Sequence, residues 1–202
     1  MKIPHYAKTY LVHGFNVKDD GEDTIARLMP YLQCNINHMC FKFLYGWLGL
    51  VGVLIKNKNI AKNLAAQVSA DGSIHITAVG HSNGCAIIIE SARQGAIYDT
   101  VVLINPALKT KTVFPPSIKE IWVIHTKYDK ATKAARFFNR IPFIGWFVPN
   151  AWGAMGTQGY CGEDDVRVIN IDGSKDLKSH SDIFEYNNLK KYGPAIKRYL
   201  LV

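Results

Sequence analysis

The chain lacks the features that would mark it as disulfide-stapled, metal-bound, membrane-spanning or disordered. Its four cysteines, Cys34, Cys40, Cys85 and Cys161, show no C-x-x-C spacing, and Cys85 falls among apolar residues. Such a set reads as reduced thiols rather than a disulfide framework. No H-E-x-x-H or paired Cys/His pattern occurs, so neither a metal nor an organic cofactor is expected. Residues 1–8 lack the continuous apolar stretch of a secretory signal, which predicts a cytoplasmic chain. The longest apolar run, Met39 to Ile55, holds Lys42 and glycines at 46, 49 and 52 and falls short of the ~20 residues a bilayer crossing needs. A strand followed by an apolar loop accounts for it, and no transmembrane segment is expected. Repeats, low-complexity tracts and Gly/Ser linkers are missing too, so residues 1–202 are expected to form a single domain. Acidic residues are outnumbered, 16 Asp and Glu against 24 Lys and Arg, for a formal charge of +8.

What remains is an alternation of apolar runs with helix-spaced segments. Thr9 to His13, Cys40 to Tyr45, Ile74 to Val79, Thr100 to Asn105, Glu120 to Thr126 and Asp165 to Ile171 read as strands, several of the β-branched kind buried on both faces. Between or after them, Glu22 to Leu32, Asn57 to Ser69, Asn83 to Gln94 and Asn188 to Leu201 carry helical spacing. This pattern predicts an α/β protein with a mostly parallel central sheet of about six strands, flanked by helices on both faces. One segment breaks it, a cap-like excursion over 138–162 rich in aromatics, glycine and proline.

Gly80-His81-Ser82-Asn83-Gly84 joins a predicted strand to a predicted helix, which is the context of a nucleophile elbow. Glycines permit the sharp turn, and amides are available at the helix start. With glycine near its usual ~7% of residues, G-x-S-x-G would arise by chance only roughly 0.05 to 0.1 times in a chain of this length.

The elbow, the order of elements and the sheet type together resemble the α/β-hydrolase fold, in a compact version that begins at the strand the family usually counts third. The resemblance covers nearly the whole chain. It implies a serine hydrolase, esterase-like or lipase-like, with a Ser, Asp/Glu, His triad in that chain order on loops at the C-terminal edge of the sheet. Ser82 is then the nucleophile. Asp129, following the strand that ends near Thr126, matches the acid position and is the expected acid; its alternative role is a helix N-cap for Lys130-Ala131-Thr132. Asp172 is the runner-up, whereas Asp164 and Asp165 precede the last strand and would lie at the wrong end of the sheet. His180 is the only histidine after that strand. His13 and His81 belong to the two turn motifs, His75 and His125 bound strands, and His5 and His38 lie outside the pattern.

The family's oxyanion hole needs two preorganised backbone donors. One matches Asn83, the residue after the nucleophile. The other falls in Leu11-Val12-His13-Gly14-Phe15-Asn16, which resembles the family's His-Gly turn, with Phe15 the expected donor and Asn16 its alternative. The implied chemistry is acyl transfer through an acyl-enzyme without metal or cofactor.

Substrate preference is read from two apolar stretches. Phe43 to Ile55 and Ile141 to Trp152 would wall an acyl pocket through Trp47, Trp146 and Phe147, or else fill the core or an interface. A small-molecule ester or lipid is the expected guest, with thioesters and amides as closer variants. Lys127, Lys130, Lys133, Arg136, Arg140, Lys109, Lys111, Lys175 and Lys178 cluster near the same edge, which favours an anionic substrate or membrane surface. Nucleic acid is not expected, since no recognition motif accompanies the lysines. The alternative class is a binding module of the same fold with an idle triad.

Overall fold

Strands whose side chains alternate between two separate apolar sets build the centre of the molecule. The computed structural model describes residues 7–15, 19–32, 35–39, 47–131, 152–163 and 165–201. The strands are β1 (Ala7–Val12), β2 (Asn35–Met39), β3 (His75–His81), β4 (Tyr98–Ile104), β5 (Ile118–His125) and β6 (Val168–Asp172). They form one sheet in the order β2-β1-β3-β4-β5-β6, every neighbouring pair parallel.

Tyr10, Val12, Ala78, Val101, Leu103, Ile121 and Val123 point to one face, where they meet Ala61, Leu64 and Val68 of helix α2 (Trp47–Ala70) and Ile87 and Ile88 of helix α3 (Asn83–Arg93). The intervening residues Leu11, Val79, Val102, Ile104 and Ile124 point to the other. There they meet Ile25 and Leu28 of a 3-10 turn (Ile25–Leu28), Leu32 of helix α1 (Met29–Leu32), and Leu189, Tyr192 and Ile196 of the C-terminal helix (Tyr186–Tyr199). Burial on both faces is why β3, β4 and β5 read as continuous apolar runs. Each fully buried Leu or Ile contributes about 1.5–3 kcal/mol over its exposed state. One further short helix, α4 (Met155–Gln158), lies within the 138–162 excursion, which makes the C-terminal helix α5.

Chain order and space part company at β1. The chain steps from β1 outward to β2, then returns to the other side of β1 as β3. The C-terminal ends of β1 and β3 therefore flank a topological switch point, the place where open parallel sheets leave a crevice. Pairing of Val12 with Gly80, His81 with Ile104, and His125 with Asp172 brings the strand ends to one edge.

Several predicted elements differ from those observed, and the last strand runs from Val168 to Asp172 rather than Asp165 to Ile171. The second strand lies at Asn35–Met39 rather than Cys40–Tyr45, and residues 40–46 fall outside those described. Its sequence NINHM is polar because it is an edge strand paired only with β1, so it carries no apolar run to read. The helix expected from Asn57 starts ten residues earlier, at Trp47, and absorbs Gly49 and Gly52, which had favoured a loop. Glu22 to Leu32 is helical only from Ile25, although Ile25, Leu28 and Leu32 are buried as their spacing requires. Of the cysteines, Cys85 and Cys161 are free thiols, while Cys34 and Cys40 lie outside the described residues. No helix among the described residues is long and apolar enough to cross a membrane.

Candidate active site

Ser82 terminates β3 in a backbone conformation that L-residues avoid, with φ 55° and ψ −121°. Such strain persists only where the surroundings over-determine it. Here the Ser82 N–H donates to Ile104 O at 3.0 Å, and its carbonyl accepts from Cys85 N at 3.2 Å and Ala107 N at 3.1 Å. Both glycines of the pentapeptide are required by close approach. A Cβ on Gly80 would lie 2.8 Å from Ile88 Cδ1 and 2.9 Å from Cys85 N, and one on Gly84 would lie 2.2 Å from Val12 O. The motif therefore packs the start of α3 directly onto the end of β1.

That packing brings the turn after β1 to the serine. A Cβ on Gly14 would lie 3.0 Å from Ser82 Cβ and 3.5 Å from Ser82 Oγ, so the Gly14 backbone borders the hydroxyl. His13 is fully buried and its Nδ1–H donates to Gly14 O at 2.8 Å, shaping the turn from within. Phe15 follows, its ring 5.8 Å from that of Trp152, while Asn16 lies outside the described residues. Asn83 is the first residue of α3, so its N–H has no acceptor within the helix.

On the opposite side stand His180 and Asp129. His180 Nδ1 and Asp129 Oδ2 are 2.8 Å apart, and Asp129 is fully buried. A carboxylate oxygen accepts, so the proton sits on Nδ1 and the lone pair on Nε2. Among the described residues, no hydrogen bond within 3.5 Å joins Ser82 Oγ to His180. The runner-up acid is engaged elsewhere: Asp172 Oδ1 accepts from Ser174 N at 2.8 Å, and hydrogen bonds from Ser174 hold the Asp172 carboxyl below its usual range. Asp165 pairs with Arg167 at 2.6 Å, at the other end of the sheet, and Asp164 lies outside the described residues.

Several contacts at this edge have no counterpart in the sequence patterns. The side-chain amides of Asn83 and Asn57 donate to each other at 2.9 and 3.0 Å, and the indole Nε1 of Trp152 donates to Asn83 Oδ1 at 3.2 Å. Trp152 opens the described part of the excursion. That segment is fixed by Met155 N to Leu108 O (3.0 Å), Gly156 N to Pro106 O (2.9 Å) and Thr126 N to Gly156 O (3.0 Å). His81 is buried and its ring lies 4.7 Å from that of His180. Burial, then the neighbouring His180, pushes the His81 imidazole well below its ordinary pKa, so it is neutral. Burial likewise lowers His125, and it pushes the Cys85 thiol upward, leaving that cysteine unreactive.

Of the residues expected to wall a pocket, Trp146 and Phe147 lie outside the described residues, and Trp47 is placed by its backbone alone as the first residue of α2. The basic rim is described in part. Lys127 and Lys178 hold their ammonium groups 5.2 and 4.8 Å from the Tyr128 ring, beside Asp129, whereas Lys133, Arg136 and Arg140 fall outside. No group of three or more His, Cys, Asp or Glu suited to a metal occurs among the described residues.

No protein-family model matches the chain, and no curated protein sequence does either. Solved structures do. An esterase of Pyrococcus furiosus, Pf2001, is 13% identical with a TM-score of 0.56, over 96% of this chain and 82% of its own. A protein of Pectobacterium atrosepticum assigned as a YdeN-like hydrolase is 11% identical with a TM-score of 0.55, over 96% and 90%. A dienelactone hydrolase-like promiscuous phosphotriesterase from metagenomic libraries, P91, is 14% identical with a TM-score of 0.52, over 96% and 84%. With the six-stranded parallel sheet, these likenesses identify the α/β-hydrolase fold.

Proposed function

We propose that the chain is a serine hydrolase that cleaves a carboxylic ester through Ser82, His180 and Asp129. The observation that carries this reading is the buried carboxyl of Asp129 hydrogen-bonded at 2.8 Å to His180 Nδ1, at the same sheet edge as a serine held at φ 55°. With its proton on Nδ1, His180 has a lone pair on Nε2 to receive the serine proton. Ser82 Oγ attacks the acyl carbonyl, and the backbone N–H groups of Asn83 and Phe15 stabilise the oxyanion. His180 returns the proton to the leaving alkoxide, and the acyl group stays on Ser82. Water, deprotonated by the same imidazole, then releases the acid and regenerates the hydroxyl. The fold it shares with an esterase supports a carboxylic ester over a thioester or amide.

Trp47, Trp146 and Phe147 are the proposed wall of the acyl pocket. Replacing Trp146 and Phe147 by serine is expected to raise the Michaelis constant for long-chain p-nitrophenyl esters more than for the acetate. An equal effect on both would remove them from that role.

One observation favours the second reading, a binding module with an idle triad: Ser82 Oγ makes no hydrogen bond to His180. Catalytic hydrogen bonds often tighten only around substrate. A fluorophosphonate probe decides between the two. It is expected to label wild-type protein and not Ser82→Ala; folded wild-type protein that resists labelling would leave the binding module.

A further inference from the structure

The carbonyl oxygen of His180 receives two side-chain hydrogen bonds, from His81 Nε2 at 3.1 Å and from Asn105 Nδ2 at 2.6 Å. A backbone carbonyl has two lone pairs, and both are used here. The donors stand at the ends of different strands. His81 is the last residue of β3 and adjoins Ser82, and Asn105 directly follows β4.

Each donor is held in place for this contact. Asn105 sits at φ 42°, a left-handed conformation that asparagine tolerates better than most residues, and its N–H is fastened to Ile124 O at 2.8 Å. Its amide orientation follows from the acceptor, because the opposite flip would set oxygen against oxygen. The His81 ring is wedged between the His180 ring at 4.7 Å and the Phe184 ring at 4.9 Å, the latter edge-on at 86°. Since the carbonyl can only accept, His81 carries its proton on Nε2, which leaves Nδ1 a bare lone pair. That atom and Asn105 Oδ1 are buried without a hydrogen-bond partner among the described residues. Two polar residues are thus kept in the interior although half of each goes unsatisfied, and what each does satisfy is the same carbonyl oxygen.

The loop around His180 has few other anchors. Thr126 Oγ1 holds Leu177 O at 2.7 Å, and Lys127 N holds Ser174 Oγ at 2.9 Å, upstream of the histidine. The hydrogen bonds of Lys178 and Ser179 run to Ser174, Lys175 and Asp182, within the loop itself. Among the described residues, hydrogen bonds tie 178–181 to the strand ends only through His180, at its ring to Asp129 and at its carbonyl to His81 and Asn105.

We propose that His81 and Asn105 are positioning residues that clamp the His180 carbonyl and so keep the imidazole in register with Ser82. The idea rests on the hydrolase reading for its consequence, not for its geometry. The Asp129 bond sets the rotation of the ring, and the clamp sets the position of the backbone that carries it. Because His81 adjoins Ser82, any shift of the elbow moves one arm of the clamp with it, so nucleophile and base travel together.

The test uses His81→Phe, which keeps a ring but removes the donor, and Asn105→Gly, which suits the positive φ but removes the donor. His81→Gln, which retains a terminal N–H, serves as the conservative rescue. The first readout is the downfield proton resonance of His180 Nδ1–H, assigned by its absence in Asp129→Asn; the second is the rate of fluorophosphonate labelling at Ser82. Phe and Gly variants that melt within a few degrees of wild type are expected to lose or broaden the resonance. They are expected to label roughly 10- to 100-fold more slowly, as misplacement of a reacting group by about 1 Å does. His81→Gln is expected to retain both. An unchanged His180 resonance in folded His81→Phe and Asn105→Gly overturns the clamp, as does lowered melting with unaltered labelling of the folded fraction. If wild type fails to label while its His180 resonance still responds to both substitutions, the clamp stands and the hydrolase reading falls.

Discussion

Gly84→Ala tests the packing that joins the elbow to β1. The added Cβ would lie 2.2 Å from Val12 O, 2.5 Å from His13 O and 2.8 Å from Val12 C, all backbone atoms of the sheet and its first turn. Side-chain rearrangement cannot relieve such a contact. Real Cβ atoms stay at least 3.0 Å from their neighbours, so the start of α3 must withdraw from β1 by about 0.8 Å. Overpacking of this kind costs about 1–3 kcal/mol, which in a domain of this size lowers the melting temperature by roughly 2–12 °C. The withdrawal also separates Ser82 and Asn83 from Gly14 and Phe15, the two sides of the proposed oxyanion site. A misplacement near 1 Å predicts turnover lowered on the order of 10²-fold. Gly72→Ala is the control, since a Cβ there meets nothing within 4 Å; it is expected to stabilise by about 0.4–1 kcal/mol and leave turnover unchanged. Melting curves and p-nitrophenyl acetate hydrolysis report both quantities. A Gly84→Ala protein that melts and turns over like wild type would refute the close-approach account.

Asp129→Asn is expected to lower turnover by something like 10⁴-fold with the fold retained, while Asp172→Asn leaves it near wild type; the reverse in an esterase assay would move the acid to Asp172. Trp152→Phe keeps an aromatic ring but withdraws the donor from Asn83 Oδ1, so turnover is expected to fall about fivefold, the equivalent of about 1 kcal/mol, and unchanged kinetics would make that bond incidental. Acid stability follows the Asp165 pair. The Arg167 guanidinium holds the Asp165 carboxyl below its usual range, so its contribution is present above the unfolded value near 3.9 and is lost as pH falls through the lower folded value. Asp165→Asn is expected to lower the melting temperature at pH 7 more than at pH 2, and an equal loss at both would remove this linkage.

Much of the architecture is legible in the sequence because the same residues that face helices on both sides also form uninterrupted apolar runs. β3, β4 and β5 are read to within about two residues at each end for this reason. β2 is missed because an edge strand with polar residues leaves no periodic trace. The first half of α2 is missed because glycine in a helix interior costs about 0.5–1 kcal/mol, and Gly49 and Gly52 argue locally against what tertiary packing imposes. Asp129 shows the limit at the site. Its sequence context suits an N-cap as well as a triad acid, and the partner on which the second reading rests, His180, lies 51 positions away in the chain.

The two variable positions of the pentapeptide illustrate what a motif leaves out. Strand alternation would direct the residues on either side of Ser82 to the same face, but the turn at Ser82, with φ 55°, breaks it and sends them to opposite faces of the sheet. His81 lies against Phe184, in the cluster shared with α1 and α5, and reaches the His180 loop. Asn83 lies toward α2 and reaches Asn57 and Trp152. The elbow is therefore braced on one side to the loop that carries the imidazole and on the other to α2 and to Trp152, in the described part of the excursion. Gly80 answers to its own turn, where a Cβ would lie 2.9 Å from Cys85 N, and Gly84 to the backbone of β1, where one would lie 2.2 Å from Val12 O. Histidine at 81 and asparagine at 83 answer to partners 99, 26 and 69 residues away. Their side chains acquire a reason only when those partners are brought to the same edge, which is why a reading of G-x-S-x-G finds the serine and passes over the residues that hold it.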